Sequence, residues 1–165
     1  MRLREGSSPV ILGIDPGLAS TGFGAIVSGL RPVLLRCGYI KTPSRMHISG
    51  RLTLIHSDLM RLIEEVGPSI VAIESIYSSV KYPRAGILLG GVMGVVYLAA
   101  SLNSIPVVEF APKTVKNSLT GWGGAGKRQL GDAVRKTLNM EGVGSLHASD
   151  ALAVALTAYA RRSLS

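Results

Sequence analysis

Apolar positions along the chain fall into two rhythms, short unbroken runs and longer stretches at helical spacing. Val10–Asp15 is a short apolar run ending in Asp15-Pro16-Gly17, the pattern of a buried strand followed by a turn. Thr21–Val27 and Val33–Lys41, joined through Ser28-Gly29, predict two more strands, antiparallel in succession. From Ile48 the rhythm changes: Ile48, Leu52, Ile55, Leu59, Leu62, Ile63 and Val66 fall at steps of three and four. That spacing predicts an amphipathic helix, closed by Gly67-Pro68. Ile70–Glu74 is a further buried strand ending in an acid, and Val107–Phe110 a fifth strand. Helices are expected over Ala85–Asn103, Lys113–Leu119, Lys127–Leu138 and from about Leu146 to Arg162. With no repeat, linker or low-complexity stretch to divide it, the chain reads as one mixed α/β domain over residues 1–165, a five-stranded sheet flanked by helices.

One segment needs a separate decision. No charged residue occurs from Ala85 to Val108, and its strongly apolar part, Ile87–Ala100, has the length of a buried helix rather than a membrane span. Gly86, Gly90 and Gly94 stand four apart on one face of it. Such a strip marks close backbone packing, either within the monomer or at a dimer seam. Val10–Ile14 is too short for a signal-peptide core, and Cys37, the only cysteine, excludes an internal disulfide or a cysteine-rich zinc site. A cytoplasmic protein without a membrane segment is expected.

Charge narrows the class of partner. The chain carries 18 Lys+Arg against 10 Asp+Glu, a formal net charge of +8 on 165 residues. That surplus points to a polyanion, while the apolar share of 47% argues against disorder. No run of like charge reaches five residues, so the excess is not a histone-like tail. It concentrates instead in Lys113, Lys116, Lys127, Arg128, Arg135 and Lys136, opposed in that stretch by Asp132 alone. Lys113 and Lys116, three apart on a helix, share a face. The bland account is a solvated helix surface; the sharper one is a groove that tracks phosphates.

With so few acids, those inside apolar segments stand out. Asp15 and Glu74 end strands, and Asp150 sits in a helix whose residues 151–160 are almost entirely apolar. Buried carboxylates are costly unless paired or bound to a cation. His147 and Asp150 are three apart on a helix and can aim at one target. Like charges about 4 Å apart repel by roughly 4 kcal/mol at an effective dielectric of 20, so a three-carboxylate cluster calls for a divalent ion. Oxygen ligands suit Mg2+ or Mn2+, imidazole favours Mn2+, and two such ions could drive phosphodiester cleavage. Each residue also has a plainer reading. Asp15 before Pro-Gly suits a turn, Asp150 could serve the helix dipole with Ser145 as cap, and His147 alone could be a polar helix-start residue. Glu109, in Val-Val-Glu-Phe, could be a fourth acid or an ion-pair partner. Gly121–Lys127 suggests a phosphate loop but lacks the Ser or Thr after the lysine and follows a helix, so it reads as a Gly-rich loop presenting Lys127. Tyr77, in a Ser-rich stretch before Lys81 and Arg84, could stack on an unpaired base or be a half-buried loop residue.

Four segments carry a resemblance: Ile-Leu-Gly-Ile-Asp15-Pro-Gly-Leu-Ala-Ser-Thr-Gly-Phe-Gly, Val-Ala-Ile-Glu74-Ser-Ile-Tyr, Thr-Val-Lys116 and Asp150-Ala-Leu-Ala. In order and spacing they resemble the RuvC family of Holliday-junction resolvases, from about Val10 to Arg161. The resemblance implies a ribonuclease-H-like fold, a homodimer and Mg2+-dependent paired nicking of four-way DNA junctions. It also implies cooperation with a branch-migration helicase and a junction-binding protein. The family's four-acid site falls on Asp15, Glu74, His147 and Asp150, with His147 standing where the usual pattern has Asp. Its DNA-contacting lysines fall on Lys116 and Lys127, and its aromatic after the catalytic Glu on Tyr77. Lys113 and Arg128 complete the expected DNA face. Residues alone leave three rivals: a related nuclease acting on RNA or flaps, an actin-like ATPase, for which the chain is too short, and a non-catalytic DNA-binding module.

Overall fold

β1 (Val10–Asp15), β2 (Ser20–Ser28) and β3 (Pro32–Lys41) form an antiparallel meander, because the turns between them return each strand beside the last. In this computed structural model, which describes residues 8–75, 83–142 and 144–162, β1 also pairs in parallel with β4 (Ile70–Glu74). β4 in turn pairs in parallel with β5 (Val107–Phe110), so the sheet order is β3-β2-β1-β4-β5. α1 (Ile48–Val66) and α2 (Pro83–Leu102) supply the crossovers that parallel neighbours require. They cover one face, where Leu12, Ile14 and Ile73 meet Ile55, Leu59, Val92 and Val96. The other face carries α3 (Pro112–Thr120), α4 (Lys127–Leu138) and α5 (Leu146–Arg162), with Ile11 and Ala72 against Val115, Val134, Leu152 and Leu156. The expected elements all form, within two residues at each end.

One expectation fails. α2 is not a helix buried all round: Val92, Val96 and Ala100 pack into the core, but Ile87 and Leu98 are 76% and 52% exposed. α1 packs against one side of it, and the outward side has no cover among the described residues. By length and apolarity alone, Arg84–Leu102 would also suffice to cross a membrane. α5, by contrast, is buried continuously from Ala151 to Ala158.

The turn after β1 is held by hydroxyls. Thr21, fully buried, donates to the Gly17 carbonyl at 2.7 Å, and the Thr42 N–H donates to the Ala19 carbonyl at 3.1 Å. Arg51 Nε donates to the Thr42 hydroxyl at 2.8 Å, tying α1 to the same turn. Asp15 therefore sits at the end of a strand whose next residues are fixed in place.

Candidate active site

Strand register brings the first two acids together. β1 and β4 run side by side with Ile14 opposite Ile73, so Asp15 and Glu74 are the next pair, at the carboxyl ends of adjacent parallel strands. Ligands of open α/β sheets bind at such ends. Alternation puts Asp15 on the face of Ile11 and Gly13, the face that α5 covers.

Two glycines let α5 descend onto that face. A methyl group at Gly13 would lie 2.0 Å from the Ala151 carbonyl oxygen, and one at Gly22 would lie 2.1 Å from the His147 carbonyl oxygen. Neither position can take a side chain without lifting the helix. Gly22 pairs with Asp15 across β1 and β2, so the first turn of α5 rests beside the acid. His147 Nδ1 is consequently 2.9 Å from Asp15 Oδ2. The Ser145 hydroxyl accepts from the Ala148 N–H at 3.0 Å, capping the helix as its sequence suggests. At the far end, the Tyr159 hydroxyl lies 3.0 and 3.1 Å from the Gly29 and Leu30 carbonyls in the β2–β3 turn.

The charges of this cluster feel one another. Burial first raises the Asp15 carboxyl above its ordinary range; Asp150 raises it further, while the His147 hydrogen bond and Lys127 oppose the shift. Glu74 is also raised, by burial, then by Asp15 and Asp150, with Lys116 and Lys127 opposing. Lys127 Nζ is 3.4 Å from Asp150 Oδ2, so one ammonium acts on all three carboxylates. The backbone turns it toward them: the Gly126 N–H donates to the Gln129 side-chain oxygen at 2.9 Å, starting α4 at Lys127.

The structure separates the remaining candidates. Arg128 lines a cavity of about 450 Å3 with Lys127, Arg135, Ser149 and Asp150, next to the acids. Lys113 belongs to a different cavity, of about 570 Å3, with Asn117 and Arg161; the face it was expected to share with Lys116 does not bring both to the carboxylates. Glu109 is neither a fourth acid nor an ion-pair partner among the described residues. It stands opposite Ile73 and therefore on the far face of the sheet, where it accepts a hydrogen bond from the Tyr97 hydroxyl. Tyr77 lies outside the described residues. Gly13 and Gly22, which seat the helix, were not singled out individually; their signal is a glycine within an otherwise branched, apolar strand.

Three carboxylates and an imidazole on one side of the sheet, with like charges raising one another's proton affinity, suit a hard divalent cation. As the side chains stand, no three acids or histidines among the described residues lie together at coordinating distance. Asp15 is engaged by His147 and Asp150 by Lys127, so closing around an ion requires these side chains to exchange partners.

Comparison with known proteins places the chain in a family. The model of the family "Crossover junction endodeoxyribonuclease RuvC" matches residues 11–158. A protein of that name from Nitrobacter hamburgensis is 39% identical over 153 residues, 92% of this chain and 89% of the relative. Another, from Rhodopirellula baltica, is 37% identical over 94% of this chain and 89% of its own length. Among solved structures, Thermus thermophilus RuvC in complex with Holliday junction substrate superposes with a TM-score of 0.85 at 32% identity, covering 94% of this chain and 96% of that one.

Proposed function

This chain belongs to the RuvC family of crossover junction endodeoxyribonucleases, and from that premise we propose that it resolves four-way DNA junctions by paired, symmetric, metal-dependent nicks. The observation that carries the reading is the meeting of Asp15, Glu74 and Asp150, from two strand ends and a helix, under one lysine. Asp15, Glu74, His147 and Asp150 would hold Mg2+ or Mn2+, two per site. Bound there, such ions supply charge stabilisation at the attacked phosphate and a more nucleophilic water. His147 fixes the direction of Asp15 through Nδ1, and its nitrogen is the reason to expect Mn2+ to support faster cutting than Mg2+. Lys116 and Lys127 offset the carboxylates in the free protein and are placed to engage phosphates of the cut strand. Arg128 extends the same cation row along the neighbouring cavity.

A junction with two opposed scissile strands calls for two sites related by a two-fold axis, hence a second copy of the chain. The outward face of α2 is where we place it. Among the described residues nothing lies within 4 Å of where a side chain at Gly90 or Gly94 would begin, and Ile87, Leu98 and Leu102 surround them, exposed and apolar. This favours the dimer seam over packing within the monomer.

The test is cleavage of a mobile four-way junction with labelled strands, beside a linear duplex and an RNA hairpin, with and without each metal. Symmetric nicks in the junction alone, dependent on metal, are expected. Asp15→Asn should bind the junction and leave it uncut; a variant that cuts at the parent rate overturns the site. Equal rates at saturating Mg2+ and Mn2+ overturn the role given to His147.

A further inference from the structure

The Gly-rich loop between α3 and α4 does more than present Lys127. It carries Trp122, the only tryptophan of the chain, with 60% of its surface exposed. A large aromatic left this open is not there to fill the core, since its neighbour Ala125 already does so at 1% exposure. Its backbone is nonetheless fixed. Gly121 turns out of α3 with a left-handed φ of 74°, and its N–H donates to the Asn117 carbonyl. The Thr120 hydroxyl accepts from the Trp122 N–H at 3.2 Å and lies within donating distance of the Lys116 and Trp122 carbonyls. The Ala125 N–H returns to the Trp122 carbonyl at 3.1 Å. The indole itself lies against Gly124, where a methyl group would meet its ring at 2.7 Å. The ring is thus backed by the chain on its Gly124 side.

The surroundings are cationic. Gly123 packs beside Lys113, the preceding helix supplies Lys116, and the following one opens with Lys127 and Arg128. Five residues of chain keep Trp122 within about 17 Å of Lys127, Cα to Cα. An exposed, immobilised aromatic ring inside a cationic belt is the design of a base-stacking platform. We propose that Trp122 is a nucleobase-binding site: it stacks on a base left without a stacking partner near the branch point of the junction. The proposal rests on the junction-resolving reading. Because every base has a π-face, the platform adds affinity without changing which dinucleotide is cut. A second protein chain is the less suitable occupant, since the belt around the ring would set like charges against each other.

Because the chain has one tryptophan, its emission reports this position directly. Full-length Asp15→Asn protein is titrated with a four-way junction, a single-stranded oligonucleotide and a relaxed, covalently closed duplex circle. Emission should fall on binding the junction or the single strand and change little with the closed duplex, whose bases are all paired and stacked. Trp122→Ala in the same background should bind the junction about 5- to 100-fold more weakly, with the slope of log affinity against log salt unchanged. Trp122→Phe and Trp122→Tyr should restore most of the loss. Emission that ignores the junction, or Trp122→Ala binding within two-fold of its parent, overturns the proposal. So does emission that tracks protein concentration instead of DNA. A wild-type chain that neither binds nor cuts junctions breaks the functional reading first and takes this inference with it.

Discussion

α5 and α2 are both helices on which apolar residues run round nearly every side, yet the molecule treats them oppositely. α5 is enclosed by five strands and two helices and keeps an unbroken buried stretch from Ala151 to Ala158. α2 touches α1 along one side and leaves Ile87, Gly90, Gly94, Leu98 and Leu102 open. An all-round apolar pattern says that a helix is to be covered; it does not say by what. For α5 the cover is the chain itself, and the reward is precision: a helix seated directly on glycine backbone delivers His147 and Asp150 to Asp15. For α2 the cover we propose is a second copy, and what is gained is two-fold symmetry.

The sharpest way to break this contrast is to unseat α5. Gly13→Ala forces a methyl group into the Ala151 carbonyl, so the helix must rise. Stability should fall by about 3 kcal/mol, a melting-temperature loss of roughly 6–12 °C by calorimetry, and junction cutting should slow about 100-fold. Leu98→Glu on α2 should do the reverse, sparing the fold and splitting the dimer. Sedimentation should show the dissociation constant raised about 30-fold or more, with nicks in the two strands no longer paired. Next in size, Lys127→Ala should weaken junction binding uniformly across sequences and lower the salt slope by about one. Its ion pair with Asp150 is too exposed to move the melting point appreciably.

The smallest effect belongs to Tyr97, an exposed residue of α2 that meets Glu109 of β5. Partial burial, then the neighbouring Glu109, push the Tyr97 hydroxyl up to about 12. The native state therefore holds this proton where the unfolded chain, at the ordinary tyrosine value of 10.0, releases it. Its contribution is complete below pH 10 and is lost as pH climbs toward 12. Tyr97→Phe should flatten that part of the stability profile, as read from urea midpoints, and at neutral pH lose the hydrogen bond to Glu109, worth about 0.5–1 kcal/mol.

The strands and most of the site were legible because they rest on local contrast. A charge closing an apolar run is visible at Asp15 and Glu74, and the steps of three and four in α1 are unambiguous. Register is another matter. Glu74 and Glu109 look alike in sequence, but pairing sets Glu109 opposite Ile73 and sends it to the other face. Likewise, glycines in a strand interior weaken it in isolation, and Gly13 and Gly22 acquire meaning only from the helix above them. Lys113 and Lys116 share a helical face by local spacing, but the placement of α3 sets Lys116 to act on Glu74 while Lys113 lines a cavity with Asn117 and Arg161. The exposure of α2 could not be read from its own residues, because the missing information is the identity of its neighbours.

Both ends of α5 are anchored to one hairpin, through the His147 carbonyl over Gly22 and the Tyr159 hydroxyl on the β2–β3 turn. Neither terminus can fray without disturbing the sheet, so amide deuterium uptake along this helix has to wait for global opening of the molecule. The backbone at His147 and Asp150 therefore holds its station for as long as the protein stays folded, and only the side chains have to exchange partners when an ion enters.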